Sequence, residues 1–476
     1  MRQTGSRTAW LWAGLLALWL LGSLRVFMLW SQHPLEAYAN SYDQTRYMSC
    51  FGIEPARAID AARQRNSPQA PFANFRFSAD VEPICYWSSE LAFTATTAAL
   101  WKVAELLGGS PHHDVRWIGV LRWLVVLLIS LALARAWIAR GQPLFALANT
   151  ALVPLLFADP GNTLYLDTFY AEFTALTAAW LMVALVFLWR DADLRSWRWG
   201  LLAIAAFLLA ISKIQHLLLP LALALAVLLL DAWRGRRLAW RGMALLFGAI
   251  CGLWLQVVQL HRSDPLIETI DQYNRADVVF TALLPFADDR VALLDTLHID
   301  PACVRYSGFR AWQFPDLPER VCLGLADFSR AAQLRVLVTE PRLTLRMLGH
   351  GVLALDPWVA GNVGQIEGGE FAQIPRLVSV GRLLQAVPIV QILLLALPLL
   401  AWIALAWRAR ASRGSLALDF CSLTVLTMLA TFAVTILGDG LADVAKQGHL
   451  VINVALAWFV CTTVILIGKF GRALQA

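Results

Sequence analysis

The sequence predicts an all-α polytopic membrane protein of about ten transmembrane helices, with two large outer loops that carry interfacial helices. Three observations predict it. Hydrophobic residues make up 59% of the 476 and charged residues only 15%, where an ordinary soluble domain carries about 25% charged residues. Mean hydropathy is +0.60, and apolar runs near the ~20 residues that cross a bilayer recur along the chain. The Lys and Arg residues sort onto alternate connections between those runs, the signature of the positive-inside rule.

The elements follow in order. The first run, 9–30, comes after Arg2 and Arg7 as a signal peptide would. It exceeds an h-region and ends in no small-x-small site, so it reads as a retained helix, with Arg25 snorkelling toward the headgroups. Further spans are expected at 117–138, 142–158, 170–189, 198–212, 214–231, 242–260, 386–407, 415–437 and 447–468. With both termini in the cytoplasm, sixteen Lys and Arg fall in the short inner segments, and only Lys213 and Lys446 in the short outer ones. Trp189, Trp233 and Trp407 sit near run ends, where indoles favour the interface. The net charge of +6 is therefore a topology signal and not the footprint of a nucleic acid.

This divides the chain into a first helix (1–30), a first outer loop (31–116), a core of six helices (117–260), a second outer loop (261–384) and three last helices (385–476). In the first loop, 88–109 carries Glu90, Lys102 and Glu105 and reads as a surface helix. In the second, 334–355 mixes Arg335, Arg342 and Arg346 with apolar residues around Pro341 and reads as an interfacial helix pair. Cys50 and Cys85 lie in one loop and Cys303 and Cys322 in the other, which suits one disulfide each in an oxidising compartment. Four unpaired thiols are the alternative.

Polar clusters interrupt the apolar runs on the outer side only. ADPGNTLYLDTFYAEF brings Asp159, Tyr165, Asp167, Tyr170 and Glu172, where a helix dipole needs at most one acid. ISKIQHLLLP brings Lys213, Gln215 and His216. GDGLADVAKQGHLVIN places Asp439, Asp443, Lys446 and Asn453 on one face of the last helix at about 100° per residue, with His449 at its margin. Ionisable groups entering a membrane helix point to a wet cavity; a structural Asp443–Lys446 pair and a mere cap at Asp159 are the bland alternatives. ANSYDQTRYMSCFG adds Asp43 and Arg46. Carboxylates accept from sugar hydroxyls, aromatic faces cover the ring, and Lys213, Lys446, His216 and Arg46 suit a phosphate. No HExxH, P-loop or GxSxG occurs, and His112-His113 reads as a solvated surface pair. No metal site is expected from the residues, and a divalent metal is not excluded.

The two long loops, after the first and the seventh expected helix, resemble the GT-C class of membrane glycosyltransferases in architecture. YLDTFYAEF, SKIQ, YNRADVVFTALLPFADD and GDGLADVAKQGHLVIN are similar to segments of a group of bacterial membrane hexosyltransferases of glycan biosynthesis, which carries Y-[LF]-N-S-F-Y-x-E-P at the first of them. Asp167 stands where that group has Asn, and Phe173 where it has Pro; the paired acids common in the first GT-C loop are absent, Asp43 standing alone. The resemblance implies an inner-membrane enzyme of the cell envelope, facing the periplasm. It would move a sugar from a polyprenyl-phosphate donor to a glycan or lipid-linked acceptor. It also implies Asp43 as base, with Asp167 and Glu172 as the other catalytic candidates. The rival class is a transporter or lipid-glycan flippase using the outer Asp and Lys groups as a relay.

Overall fold

An apolar run of about 20 residues satisfies its own backbone in hydrocarbon as a helix, and helices dominate the fold. The computed structural model describes residues 2–39, 41–56, 71–81, 84–235, 239–262, 265–355, 364–367, 379–408 and 415–473. Arg236, Arg237, Arg410 and Arg413 of the expected inner segments lie outside the described residues. The chain is a membrane-embedded helical protein: seven described helices are long and apolar enough to cross a bilayer, Thr8–Trp30, Arg116–Ala139, Ile214–Trp233, Trp240–Leu260, Pro388–Arg408, Leu416–Asp439 and His449–Lys469. Three shorter apolar helices, Pro143–Phe157, Glu172–Leu188 and Ser196–Ala210, occupy the other three positions where spans are expected.

In chain order, α1 (Arg2–Trp30) leads through β1 (Glu36–Ala39), α2 (Ser41–Met48), β2 (Ile53–Pro55) and β3 (Asn74–Phe77) to α3 (Leu91–Leu106) and β4 (His113–Asp114). The core follows as α4 (Arg116–Ala139), α5 (Pro143–Leu152) with a π-helical end to Phe157, the single turn α6 (Pro160–Thr163), α7 (Glu172–Leu188), α8 (Ser196–Ala210), α9 (Leu219–Trp233) and α10 (Trp240–Leu260). The second loop contributes α11 (Pro265–Asp277), α12 (Arg290–Thr296), α13 (Pro318–Val321), α14 (Arg330–Thr339), α15 (Pro341–Leu353), β5 (Gly364–Ile366) and α16 (Val380–Ala386). The chain ends with α17 (Pro388–Arg408), α18 (Leu416–Asp439), the short α19 (Val444–Gln447) and α20 (His449–Ala473).

Both long loops lie at one end of the bundle, because β1 of the first pairs antiparallel with β5 of the second. Disulfides Cys50–Cys85 and Cys303–Cys322 brace them, one in each loop. Within 88–109 the helix is the 16-residue α3, Leu91–Leu106, about 24 Å long and short of the ~30 Å hydrocarbon thickness. The stretch around Pro341 is the expected helix pair, α14 and α15, with Pro341 opening the second helix where its missing N–H costs nothing.

Five details differ from expectation. Arg25 does not snorkel: its guanidinium donates to the Pro154 carbonyl at 2.5 Å and reaches Asp159 at 3.4 Å, because a partnered acid inside the bundle competes with the headgroups. His113 is buried, stacked on Trp101 and 3.0 Å from Glu105, since pairing of β3 with β4 tucks it under α3. Trp189 is buried in an edge contact with Trp197. Several inner arginines are internally paired: Arg190 with Asp419 at 3.2 Å, Arg241 with Asp231, and Arg234 with Asp419 and Asp231. Finally, 439–453 is not one helix: α18 stops at Asp439, and the chain turns through Gly440 and α19 before α20 begins.

The stop is local chemistry. Gly440 has φ +62°, and a Cβ there would stand 2.4 Å from the Asp277 carbonyl oxygen and 2.7 Å from Thr281 Oγ1. Both strain and clash therefore oppose any side chain. Gly438, two residues earlier, has open space at its Cβ position. Gly440→Ala is expected to lower thermal stability by at least ~1–3 kcal/mol, while Gly438→Ala leaves it unchanged or raises it. Equal midpoints for the two variants would contradict this account of the turn.

Candidate functional site

The helix that carries the site is the most enclosed one in the bundle. Nearly every residue of α7 is buried, and its first residue, Glu172, is 1% exposed. The segment before it, 164–171, is non-helical backbone packed inside the protein, and its carbonyls need donors. Arg122 on α4 supplies them, donating to the carbonyls of Tyr165 (2.7 Å), Leu166 (2.5 Å), Thr168 (2.8 Å) and Tyr170 (2.9 Å). Its charge is met by Glu90 at 2.5 Å, and the Thr174 hydroxyl donates to the same carboxylate at 2.6 Å. Sequence reading missed both partners. The available signal was a lone Arg one turn into an apolar run, facing an Asp- and Tyr-rich turn.

With that segment set, charged side chains from four parts of the chain meet. Asp43 on α2 accepts from Lys446 at 3.0 Å and from the Tyr170 hydroxyl at 3.1 Å, and pairs with Arg46 at 3.0 Å. Lys446 also contacts Asp443 at 2.5 Å, so one ammonium sits between two carboxylates. Lys213 pairs with Glu172 Oε1, and the second Glu172 oxygen is buried without a hydrogen-bond partner. The ring nitrogens of His449 lie 3.0 Å from the Lys446 carbonyl oxygen and 3.2 Å from that of Glu172. The rings of Tyr165 and His216 stand beside it at 6.2 and 6.0 Å.

His216 is set in one tautomer. The Ser212 hydroxyl donates to the Leu209 carbonyl at 2.7 Å, so it accepts from His216 Nδ1 at 2.9 Å. Nε2 is then an acceptor, buried and without a partner, as is Gln215 Oε1. Buried polar atoms are normally satisfied; three unsatisfied acceptors on neighbouring residues mark a place for something that donates. The side chains of Lys213, Asp43 and Arg46 are 12%, 14% and 19% exposed, so the cluster reaches the surface through them.

Burial alone would raise the Asp43 carboxyl, but Lys446, Arg46 and Lys213 outweigh it and hold it well below the usual carboxylate range. Burial opposes the charge on Lys446 in the same way, and Asp43, Asp443 and Glu172 hold its pKa above the usual lysine value. A further acid, Asp277 of α11, is pushed well above the carboxylate range by burial and then by the nearby Asp439, with Asp443 adding. Its carboxylate accepts from the Ala311 N–H at 2.7 Å, while Asp439 accepts from Gln447 at 3.1 Å. Asp277 lies inside the quoted YNRADVVF segment, where an acid flanked by apolar residues was the only sign.

The structure gathers Asp43, Arg46, Tyr165, Tyr170, Glu172, Lys213, His216, Asp439, Asp443, Lys446 and His449 into one neighbourhood, with Gln215 beside His216. It does so across the turn at Gly440, not along a single helical face, which corrects the stripe reading. Asn453 falls below the cluster, in a reciprocal amide pair with Asn162 at 2.6 and 2.9 Å. Asp159 is elsewhere: it caps α6 through the Gly161 N–H at 3.1 Å, accepts from the Val380 N–H at 2.8 Å and holds Arg25. Asp167 also points away, accepting from Trp30 Nε1 at 3.0 Å and lying against Gly119 of α4. Among the described residues no group of three or more His, Cys, Asp or Glu is placed to hold a metal.

Asp167 yields a sign-definite prediction. Burial, opposed by its bond from Trp30 and by Arg116, pushes its carboxyl up to about 7, and its second oxygen is buried without a hydrogen-bond partner. A folded pKa above the unfolded one means stability that is full below pH ~4 and lost as pH rises through ~7. Asp167→Asn keeps the Trp30 bond and cannot ionise. Its unfolding midpoint is expected to match wild type near pH 4 and exceed it at pH 8, by up to a few kcal/mol at ~1.4 kcal/mol per unit. A difference independent of pH would contradict the assignment.

No protein-family model, curated protein or solved structure matches this chain.

Proposed function

We propose that this chain is a membrane glycosyltransferase of GT-C type. It moves a sugar from a polyprenyl-phosphate donor to a glycan or lipid-linked acceptor at the outer face of a bacterial inner membrane. The observation that carries the reading is the cluster itself. Three cations, Arg46, Lys213 and Lys446, crowd two carboxylates, Asp43 and Glu172, next to buried acceptors that lack donors on Glu172, Gln215 and His216. A sugar supplies the hydroxyl donors, and its phosphate supplies an anion for the cations.

In the resting chain Asp43 is a weak base, because Lys446 and Arg46 stabilise its ionised form. A donor phosphate that engages Lys446 and Lys213 withdraws those charges, so Asp43 gains basicity only when the donor is seated. The acceptor hydroxyl oxygen then attacks the anomeric carbon from the face opposite the phosphate, and its proton passes to Asp43. The bond from the anomeric carbon to the phosphate oxygen breaks, its electron pair leaves with the phosphate, and the ammonium groups stabilise that charge where water is excluded. Glu172 accepts from the sugar hydroxyls, and Tyr165 and Tyr170 offer ring faces.

The test is transfer by purified protein in nanodiscs, offered a panel of labelled polyprenyl-phosphate sugars and extracted lipid-linked glycans. Asp43→Asn and Glu172→Gln are each expected to reduce transfer by about 100-fold or more, Lys446→Gln to raise the donor KM, and Asp167→Asn to leave transfer intact. Full transfer by both carboxamide variants would sink the reading. Absence of transfer from every donor, together with labelled lipid crossing the bilayer of reconstituted vesicles, would replace it with the flippase reading.

A further inference from the structure

Below the polar cluster lies a second feature that the transfer reading does not use. A cavity of about 600 Å³ runs between α4, α5, α7, α18 and α20. Along α20 its lining extends from Asn453 to Lys469, a length of about 24 Å at ~1.5 Å per residue. That length suits an extended hydrocarbon chain. The walls are apolar and aromatic, Trp137, Phe145 and Trp180 among them. A dry cavity of this kind loses packing energy unless an apolar group fills it.

The two ends differ. At the end near the polar cluster the lining residues Leu156, Phe157, Leu176 and Asn453 are all buried, and the Asn162–Asn453 amide pair roofs them. All the exposed lining residues, Gly141, Gln142, Ala417, Leu466 and Lys469, belong to the opposite end. A lipid whose phosphate sits at Lys213 and Lys446 cannot run its tail into a cavity closed on that side. The occupant enters from the other leaflet, and at that mouth stands an ammonium, Lys469.

We infer that this cavity is a site for one acyl chain of a phospholipid from the leaflet opposite the polar cluster, with its phosphate held at Lys469 and Gln142. The chain end would lie under the Asn162–Asn453 pair. Asn453 in turn donates to the His449 carbonyl at 3.0 Å, and His449 braces the backbone of Lys446 and Glu172. The lipid is thus a structural ligand of α20, whose first residue, His449, stands in the cluster, and its site stands or falls independently of what the cluster transfers.

Native mass spectrometry of the full chain, exchanged into mild detergent with added phosphatidylglycerol, tests this. Wild type is expected to keep one phosphatidylglycerol per chain through detergent exchange. Ala457→Trp, which fills the middle of the cavity, should lower retention by about tenfold or more. Thr462→Trp, nearer the mouth, should do the same and serves if the first variant fails to fold. Lys469→Glu should weaken retention several-fold and lessen the preference for anionic headgroups. Complete delipidation of wild type, unchanged retention in a folded filled variant, or retention of added polyprenyl phosphate in place of phospholipid would each overturn the inference. Unaltered retention in Lys469→Glu would overturn the headgroup assignment.

Discussion

A single guanidinium, that of Arg122, gathers four backbone carbonyls from residues 165–170 and the carboxylate of Glu90 in a place with no exposed side-chain surface. Non-helical backbone at this depth is tolerated only when its polar groups are met by protein, and a buried cation only when it is fully paired. Each condition satisfies the other here. Because the carbonyls are held, the chain can arrive at α7 with Tyr170 turned toward Asp43 and Glu172 toward Lys213. Glu90, through Thr174, ties the first loop to the same helix, so the loop that carries Asp43 and the helix that carries Glu172 keep a common frame.

On that frame the site is an excess of buried acids held together by a few cations. Lys446 stands between Asp43 and Asp443, and under the proposed transfer it is more than a structural tie. Replacing an ammonium by an apolar group would leave two carboxylates facing each other, whereas drawing it toward a phosphate keeps its charge in place and frees a carboxylate. The resting pairing protects the protein from unpaired buried charge, and on the proposed mechanism it makes the basicity of Asp43 conditional on an anion. The raised pKa of Asp277 beside Asp439 and Asp443 brings the second loop into the same balance of charge.

Much of the fold was legible in the sequence, since run length, arginine placement and cysteine partition act over many residues and survive local irregularity. The spans, both disulfides and the helix pair at Pro341 are of this kind. The site was legible in membership and much less in geometry. A helical wheel put Asp439, Asp443 and Lys446 on one face, and the structure unites them through a break that only the φ of Gly440 reveals. No wheel applies to 164–171, so nothing told Asp167, turned to Trp30, from Glu172, turned to Lys213. Arg25 was read as snorkelling and Asp159 as a site acid or a cap, each on its own, because their meeting, across 134 positions of sequence, is a tertiary event. Arg122 and Glu90 were passed over because single charges in apolar runs carry their partners in space and not in sequence.

The central claim is that an incoming phosphate takes Lys446 from Asp43. A cryo-electron microscopy structure of the chain in nanodiscs with a bound polyprenyl phosphate tests it most directly. The account predicts phosphate density within hydrogen-bond reach of Lys446 and Lys213, with the Asp43–Lys446 contact, 3.0 Å in the resting chain, opened. Phosphate density elsewhere, or a bound phosphate with that contact intact, would contradict it.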